Sequence, residues 1–377
     1  MKLAHKKGHI CLLFYITFAA ICMTSSKIGK NRFLNWEKWP FWLIYSPLVL
    51  VWIYYAVKAR TFWFMSNINP TLEFSGFEGE PKKEMYLQLP KADYPKTIYI
   101  DGNTPFEQVK EMLLDNGFSY PFIVKPDVGM QGLLFRKIND EADLVHYNLF
   151  VPVNYLIQDL VELPLEFSVF YIRYPGEKKG RITGFIQKEY MAVTGDGKST
   201  LLQLISLHPK AGLRTAEMKA KHEKRLNEVL AKNEKFTLSI AGNHNRGARF
   251  INLDELIDEP LCNVFDAIGR TADEFHYGRY DVKCTSIEDL KAGKNFSILE
   301  FNGAGAEPNH IYDCGMSYFE ALAEIKAHWK DMYQIGRINK KRGYPYWGFV
   351  KGCRYLMNAK KFFTLLRAYD INMDVEN

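Results

Sequence analysis

The chain has 377 residues, enough to bury a sizeable core in two or three lobes, and its 47% hydrophobic and 24% charged content is ordinary for a globular protein. Aromatic residues reach 15% and gather near the two ends, while the net charge of +6 is modest and unevenly spread. The six cysteines are far apart with no C-x-x-C pair, and no repeat of solenoid length is visible; this argues against a disulfide framework, a zinc site or a repeat scaffold, and fits a reducing cytosolic setting.

Lys2, Lys6 and Lys7 precede the apolar stretch Ile10–Met23, in the manner of a signal peptide but without a clear small-x-small cleavage site. The stretch is short for a spanning helix, which needs roughly 20 residues. Lys27, Lys30, Arg32 and Lys38 follow. Trp39–Val57 is then apolar, uncharged and dense in Trp and Tyr, closed by Lys58 and Arg60. Aromatic ends with flanking cations are interface anchors. Three geometries are open: a hairpin crossing twice, one span, or a helix lying in the interface. The hairpin would put the basic loop on the far side, against the positive-inside tendency. Pro40 and Pro47 would cap or kink the helix. The competing reading is a buried aromatic helix of a soluble protein. The expectation is membrane-associated helices over residues 1–60, with the catalytic domain on the cytoplasmic side.

Residues 61–119 read as a connector and small lobe: extended or irregular to about 100, then a helix with Thr104 as cap, Pro105 first and Glu107 three on, ending near Asn116-Gly117. Tyr120–Ile138 reads as two strands, Phe122–Lys125 and Gly132–Lys137. Gly129 and Gly132 in the join let backbone N–H groups approach an anion, and Lys125 stands at its mouth. This is no Walker loop, and a plain β-turn is the alternative. A helix over Asp140–Asn148 and strands at Tyr155–Val161 and Leu165–Tyr171 follow. Gln158 and Glu166 are polar in apolar strands, which means edge exposure or hydrogen bonds to a base and a ribose. Arg181–Met191 is a strand presenting Lys188. Gly195–Thr200 turns into a helix at Leu201–Leu207, and Ala216–Lys232 reads as a solvated charged helix. Asn243–Arg249 is either an anion-binding or a plain surface loop. Leu261–Phe275 is a helix leading into Gly278.

Gly278–His310 holds two short strands, Tyr280–Cys284 and Ser297–Asn302, joined by a charged loop carrying Gly293. Residues two apart in a strand share a face, so Arg279 goes with Asp281 and Glu300 with Asn302. Paired antiparallel, two carboxylates, an amide oxygen and a guanidinium converge. The oxygens are hard ligands suited to Mg²⁺, and the guanidinium suits a transferring phosphoryl group or an oxyanion. Glu300 lies in the apolar run Ile298–Phe301, where a carboxylate is costly unless paired or on a metal.

Gly315–Tyr333 reads as an amphipathic helix. From Met332 to Tyr369 there is no Asp or Glu, while cations from Arg337 to Arg367 interleave with aromatics. This mixture suits anionic membrane lipid, each cation contributing about 1 kcal/mol. Nucleic acid is the alternative ligand, set aside because the N-terminus independently points to membrane; a helix packed on the core with a solvated basic face is the competing reading.

In order, the chain has Ile-Val-Lys-Pro with a Gly loop, a hinge-like strand, Glu-Phe-Ser-Val, a strand lysine, Arg-x-Asp and Glu-x-Asn. That order resembles the ATP-grasp superfamily over roughly residues 120–315, with the flavour of carboxylate–amine ligases such as D-alanine–D-alanine ligase and cyanophycin synthetase. The run from Val193 to Leu201 resembles a cyanophycin synthetase segment. The resemblance implies an α+β fold, two lobes gripping ATP over 120–333, after the helices of 1–60 and the connector of 61–119 and before a basic aromatic segment, 334–377. It implies that Lys125 and Lys188 contact ATP phosphates, with the Gly129–Gly132 loop closing over them. Gln158, the backbone at Leu160 and Val161, and Glu166 would hold adenine and ribose. Asp281, Glu300 and Asn302 would bind two Mg²⁺, and Arg279, with Lys188, would act on the acyl phosphate and tetrahedral state. The implied activity joins a small carboxylate to an amine or thiol through an acyl phosphate. A kinase acting on a hydroxyl, or a membrane-bound nucleotide-binding module without turnover, are the alternatives. Two departures are visible. The family's N-terminal α/β domain is replaced by apolar helices and a connector, and Ser286–Asn295 lengthen the step from Asp281 to Glu300. The substrate half of the family therefore does not carry over.

Overall fold

The computed structural model describes residues 35–375 apart from 131, 240–241 and 243–246. The apolar stretch Ile10–Met23 and most of the loop expected at Asn243–Arg249 lie outside the described residues.

The fold is α+β with antiparallel sheets. Strands β1 (Thr97–Ile100), β2 (Phe122–Pro126), β3 (Arg136–Ile138) and β4 (Tyr155–Asp159) form a first sheet in the order β1-β4-β2-β3. Strands β5 (Leu165–Ile172), β6 (Arg181–Glu189), β9 (Arg249–Asn252), β10 (Tyr277–Cys284) and β11 (Phe296–Asn302) form a second, in the order β11-β10-β5-β6-β9. The short strands β7 (Ala192–Thr194) and β8 (Lys235–Thr237) pair separately.

Alternation along the second sheet separates core from site. Phe167, Val169, Tyr280, Val282 and Phe301 pack with Leu261, Phe265 and Ile268 of the helix Glu259–Thr271. The residues between them, Ser168, Asp281 and Lys188, fall on the other face, as a period of two requires. The inner strand β2 is buried along its whole length, which suits the unbroken apolar character of Phe122–Val124.

The structure corrects several expectations. Residues 61–100 are no extended connector: Phe64, Met65, Ile68 and Phe74 are fully buried. A buried irregular segment must still satisfy its backbone, and Asn69 does much of this. Its Oδ1 accepts from His276 N (2.8 Å) and Tyr277 N (3.1 Å), and its Nδ2 donates to Tyr277 O (2.8 Å) and Ser75 O (3.1 Å). Asn69→Ala would orphan buried backbone groups at about 1–3 kcal/mol each. We expect a loss of about 3 kcal/mol or more in the unfolding free energy; an unchanged denaturant midpoint would show that the segment does not need this side chain.

The charged helix expected at Ala216–Lys232 stops at Lys221, because Leu230 turns in to join Leu201, Ile205 and Leu238 in a small separate core. The strand expected at Gly132–Lys137 is only Arg136–Ile138, because the chain turns at Leu134 (φ 54°), whose N–H donates to Asp370 and whose carbonyl accepts from Tyr147 Oη. Thr104 does not cap the next helix. Pro105 takes the cap position without a side-chain bond.

Phe41–Ala59 is the one helix among the described residues long and apolar enough to cross a membrane. It is not a detached anchor. Tyr45, Trp52 and Tyr55 pack on Trp329 and Tyr333 of the helix Tyr318–Lys341, with Trp52 and Trp329 ring centres 5.1 Å apart. Leu50, Ile53, Tyr54 and Val57 remain exposed on its other side. The basic C-terminal segment is likewise anchored: the helix Phe349–Val375 sinks Ala359, Phe363, Leu366 and Met373 into the core of the first sheet, while Lys351, Arg354, Lys360, Lys361 and Arg367 stay exposed.

Candidate active site

Strands β10 and β11 pair antiparallel with Arg279 opposite Asn302 and Asp281 opposite Glu300. All four side chains therefore project from one face of the sheet. A bulge follows at once: the register shifts between Asp281 and Val282, leaving Leu299 unpaired on β11. The bulge turns the Leu299 carbonyl toward Tyr86 Oη and the Lys125 ammonium.

Asp281 is the electrostatic hub. Lys188 Nζ lies 3.1 Å from Oδ2, Arg279 Nε donates to Oδ1 at 3.1 Å, and Ser168 Oγ donates to Oδ1 as well. Burial alone would raise its carboxyl, but Arg279 and Lys188 hold it down to about 2. Lys188 is buried between Asp281 and Glu166, whose Oε1 is 3.0 Å away. Burial opposes its charge, yet the two carboxylates outweigh this and raise its pKa above the usual lysine value. Tyr190 Oη donates to the other oxygen of Glu166.

Lys125 is different. It is 9% exposed and its ammonium meets Tyr86 Oη at 2.9 Å and the Leu299 carbonyl at 3.4 Å, with no carboxylate in ion-pair contact among the described residues. Burial pulls its pKa down to about 8, partly offset by Glu300. Glu300 is 37% exposed and its ion-pair partner is Lys82, at 3.6 Å. Lys82 also donates to the Gly129 carbonyl at 3.2 Å, tying the glycine loop to the carboxylate. Gly132 takes a left-handed φ of 72° with open space around it.

The structure thus brings together Lys188, Glu166, Arg279, Asp281, Asn302 and Glu300, with Lys125 and Gly129 joined to them through Tyr86, Leu299 and Lys82. Val161 lies at the edge of this group, its carbonyl accepting from Lys283 Nζ at 3.0 Å, and Leu160 is half-buried beside it. Gln158 is fully buried on an inner strand, its Nε2 donating to Thr97 Oγ1 at 2.7 Å and its Oε1 accepting from Tyr86 Oη at 3.5 Å. That amide links β4 to β1 and, through Tyr86, to Lys125. Sequence reasoning missed Lys82, Tyr86, Ser168, Tyr190 and Lys283. Lys82 and Tyr86 sit on a five-residue helix with no motif around it, whereas Ser168 and Lys283 were legible: each shares strand parity with a chosen residue, Glu166 and Asp281.

The oxygen donors fit a hard divalent cation: two carboxylates and an amide on one face, with Glu300 partly open to solvent.

No family model matches the chain, and no curated protein sequence does. In structure the chain resembles ATP-grasp ligases at low sequence identity. A bifunctional glutathione synthetase from Pasteurella multocida is 16% identical over 66% of this chain and 36% of its own length, with a TM-score of 0.37. A D-alanine–D-alanine ligase from Bacillus anthracis is 12% identical over 72% of each chain, with a TM-score of 0.41. The ATP-grasp ligase PsnB complexed with a minimal precursor is 12% identical over 65% of this chain and 60% of its own, with a TM-score of 0.33. The chain thus spans little more than a third of the glutathione synthetase.

Proposed function

We propose that the protein is an Mg²⁺- and ATP-dependent ligase that activates a small carboxylate as an acyl phosphate and passes the acyl group to an amine or thiol. The observation that carries this reading is Lys125, a buried ammonium without a carboxylate partner among the described residues, near the sheet face that carries Lys188 and Asp281. A buried unpaired cation is costly, and a phosphate oxygen is the counter-charge such a site lacks.

In this reading Lys125 and Lys188 grip the phosphates from two sides. Asp281, Glu300 and Asn302 would hold Mg²⁺, which would neutralise phosphoryl charge. The substrate carboxylate oxygen attacks the γ-phosphorus and the bond to ADP breaks. The amine then attacks the acyl carbon and inorganic phosphate leaves. Arg279, oriented by Asp281 and by its bond to the Glu307 carbonyl (3.3 Å), would stabilise the tetrahedral oxyanion. The Gly129–Gly132 loop, tethered through Lys82, is the element that would keep water from the acyl phosphate. Glu166 and the backbone at Leu160 and Val161 would hold the nucleoside.

The test is trapping. With ATP, Mg²⁺ and a panel of small acids, hydroxylamine should be converted to a hydroxamate with one ADP formed per product. ATP consumption that yields a phosphorylated hydroxyl compound and no hydroxamate would make the protein a kinase instead.

We further propose that the exposed side of Phe41–Ala59 rests on anionic membrane lipid with the catalytic domain in the cytosol. Leu50, Ile53, Tyr54 and Val57 supply apolar area, and the exposed Lys58 and Arg337, whose charges interact, supply cations. The full chain should float with anionic vesicles at both low and high salt, because apolar insertion is insensitive to ionic strength. A Leu50→Asp/Val57→Asp variant should be released at high salt. Equal binding of the two at high salt would remove this helix from the membrane contact.

A further inference from the structure

A second cluster of ligand-type side chains lies outside the set just described. His310 sits in the short turn Asn309–Ile311 that follows β11, and Glu324 and His328 lie one turn apart on the helix Tyr318–Lys341. His310 Nε2 and His328 Nε2 each lie 3.2 Å from Glu324 Oε1, and the three donor atoms are all within 4.8 Å of one another. Donors bound tetrahedrally at about 2.0–2.1 Å stand roughly 3.4 Å apart. Both imidazoles are 2% exposed, and both turn Nε2 toward the same Glu324 oxygen. Two buried ring nitrogens converging on one carboxylate oxygen are an arrangement that a shared cation would complete.

The surroundings are built around these rings. His328 Nδ1 bonds Tyr277 Oη at 3.1 Å, an outer contact of the kind that orients a ligating imidazole, and Phe170 packs edge-on against the same ring at 4.5 Å. Gly184 on β6 leaves the space for His310: a Cβ there would lie 2.0 Å from His310 Nδ1. An open cleft of about 510 Å³, lined by Cys314, Glu320 and Glu324 among others, reaches the carboxylate and gives an ion a route in. Cysteine spacing argued against a zinc site, but this cluster uses no cysteine.

We propose that His310, Glu324 and His328 bind one divalent ion of the zinc class, with a fourth position open to the cleft. Two imidazoles and one carboxylate select a borderline metal over Mg²⁺, which favours an all-oxygen set. The site is independent of the ATP reading, since it shares no ligand with Asp281, Glu300 and Asn302.

The experiment is a Zn²⁺ titration of the chelator-treated full chain, repeated with Co²⁺ for its visible absorption. One equivalent should bind, Co²⁺ should show the intense bands of a four-coordinate site, and His328→Gln and Glu324→Gln should each weaken binding by more than about 100-fold. Glu324 is partly exposed, so its isosteric variant keeps the comparison valid if His328→Gln does not fold; circular dichroism of the metal-free proteins checks this. Failure of the wild-type chain to take up Zn²⁺, or Zn²⁺ binding by folded Glu324→Gln as tight as wild type, would overturn the proposal.

Discussion

Glu300→Gln is expected to cut ATP turnover by about 1000-fold while leaving the fold intact. Loss of one of the two carboxylates proposed to bind the metal would remove phosphoryl charge neutralisation worth several kcal/mol of barrier, and about 1.4 kcal/mol corresponds to each tenfold. The position makes the test clean. Glu300 is 37% exposed and its one ion-pair partner among the described residues, Lys82, lies at 3.6 Å, so its neutralisation should move the denaturation midpoint little. Asp281→Asn would be a poorer probe. It takes one of two carboxylates from buried Lys188 and the ion-pair partner from Arg279, so lost activity could not be told from lost structure. Normal turnover in Glu300→Gln would sink the metal assignment.

Lys125→Met should weaken ATP binding by about 10–100-fold, the worth of one charge-assisted hydrogen bond, while leaving adenosine binding unchanged. Equal loss for both ligands would make Lys125 a structural residue. The pH profile gives a second reading. Burial lowers its folded pKa to about 8 from the usual 10.5, so between those values the unfolded chain holds a proton that the folded chain lacks. Stability therefore rises with pH across that window and is reduced below it. ATP affinity should run the other way, falling as pH climbs through 8 and the ammonium is lost. Lys125→Met should abolish both slopes, and because it removes a buried unpaired cation, it should stabilise the free protein at neutral pH. The two slopes are measured by denaturation and by nucleotide titration from pH 7 to 10; an ATP affinity that stays flat would mean that Lys125 does not meet the phosphates.

Much of the site was legible in the chain because strand periodicity is local. Arg279 and Asp281 share a face at any register of β10, as do Glu300 and Asn302 on β11, and antiparallel pairing follows from their closeness in sequence. Even the helix inserted at Ile287–Lys291, which occupies the extra residues, leaves that register untouched. The apolar helix was legible for the same reason. Its aromatic density is a property of the stretch itself.

What the sequence by itself determined, then, is which side chains share a strand face and which stretches must be apolar. Only the tertiary structure decided who meets whom across long separations. Gln158, polar in an apolar strand, could have been an exposed edge residue, but β4 became an inner strand and its amide bonds Thr97 and Tyr86. Lys82 carried no motif and lies beside Glu300 where Asp127, distant in sequence, holds the backbone at Lys82 and Lys83. His310 faces Glu324 and His328 because Gly184, far earlier in the chain, leaves room for its ring. The physical reason is common to all three. Periodicity is a property of one element's backbone, whereas the partner of a buried polar group is chosen by the packing of elements distant in sequence, under the requirement that each such group be satisfied.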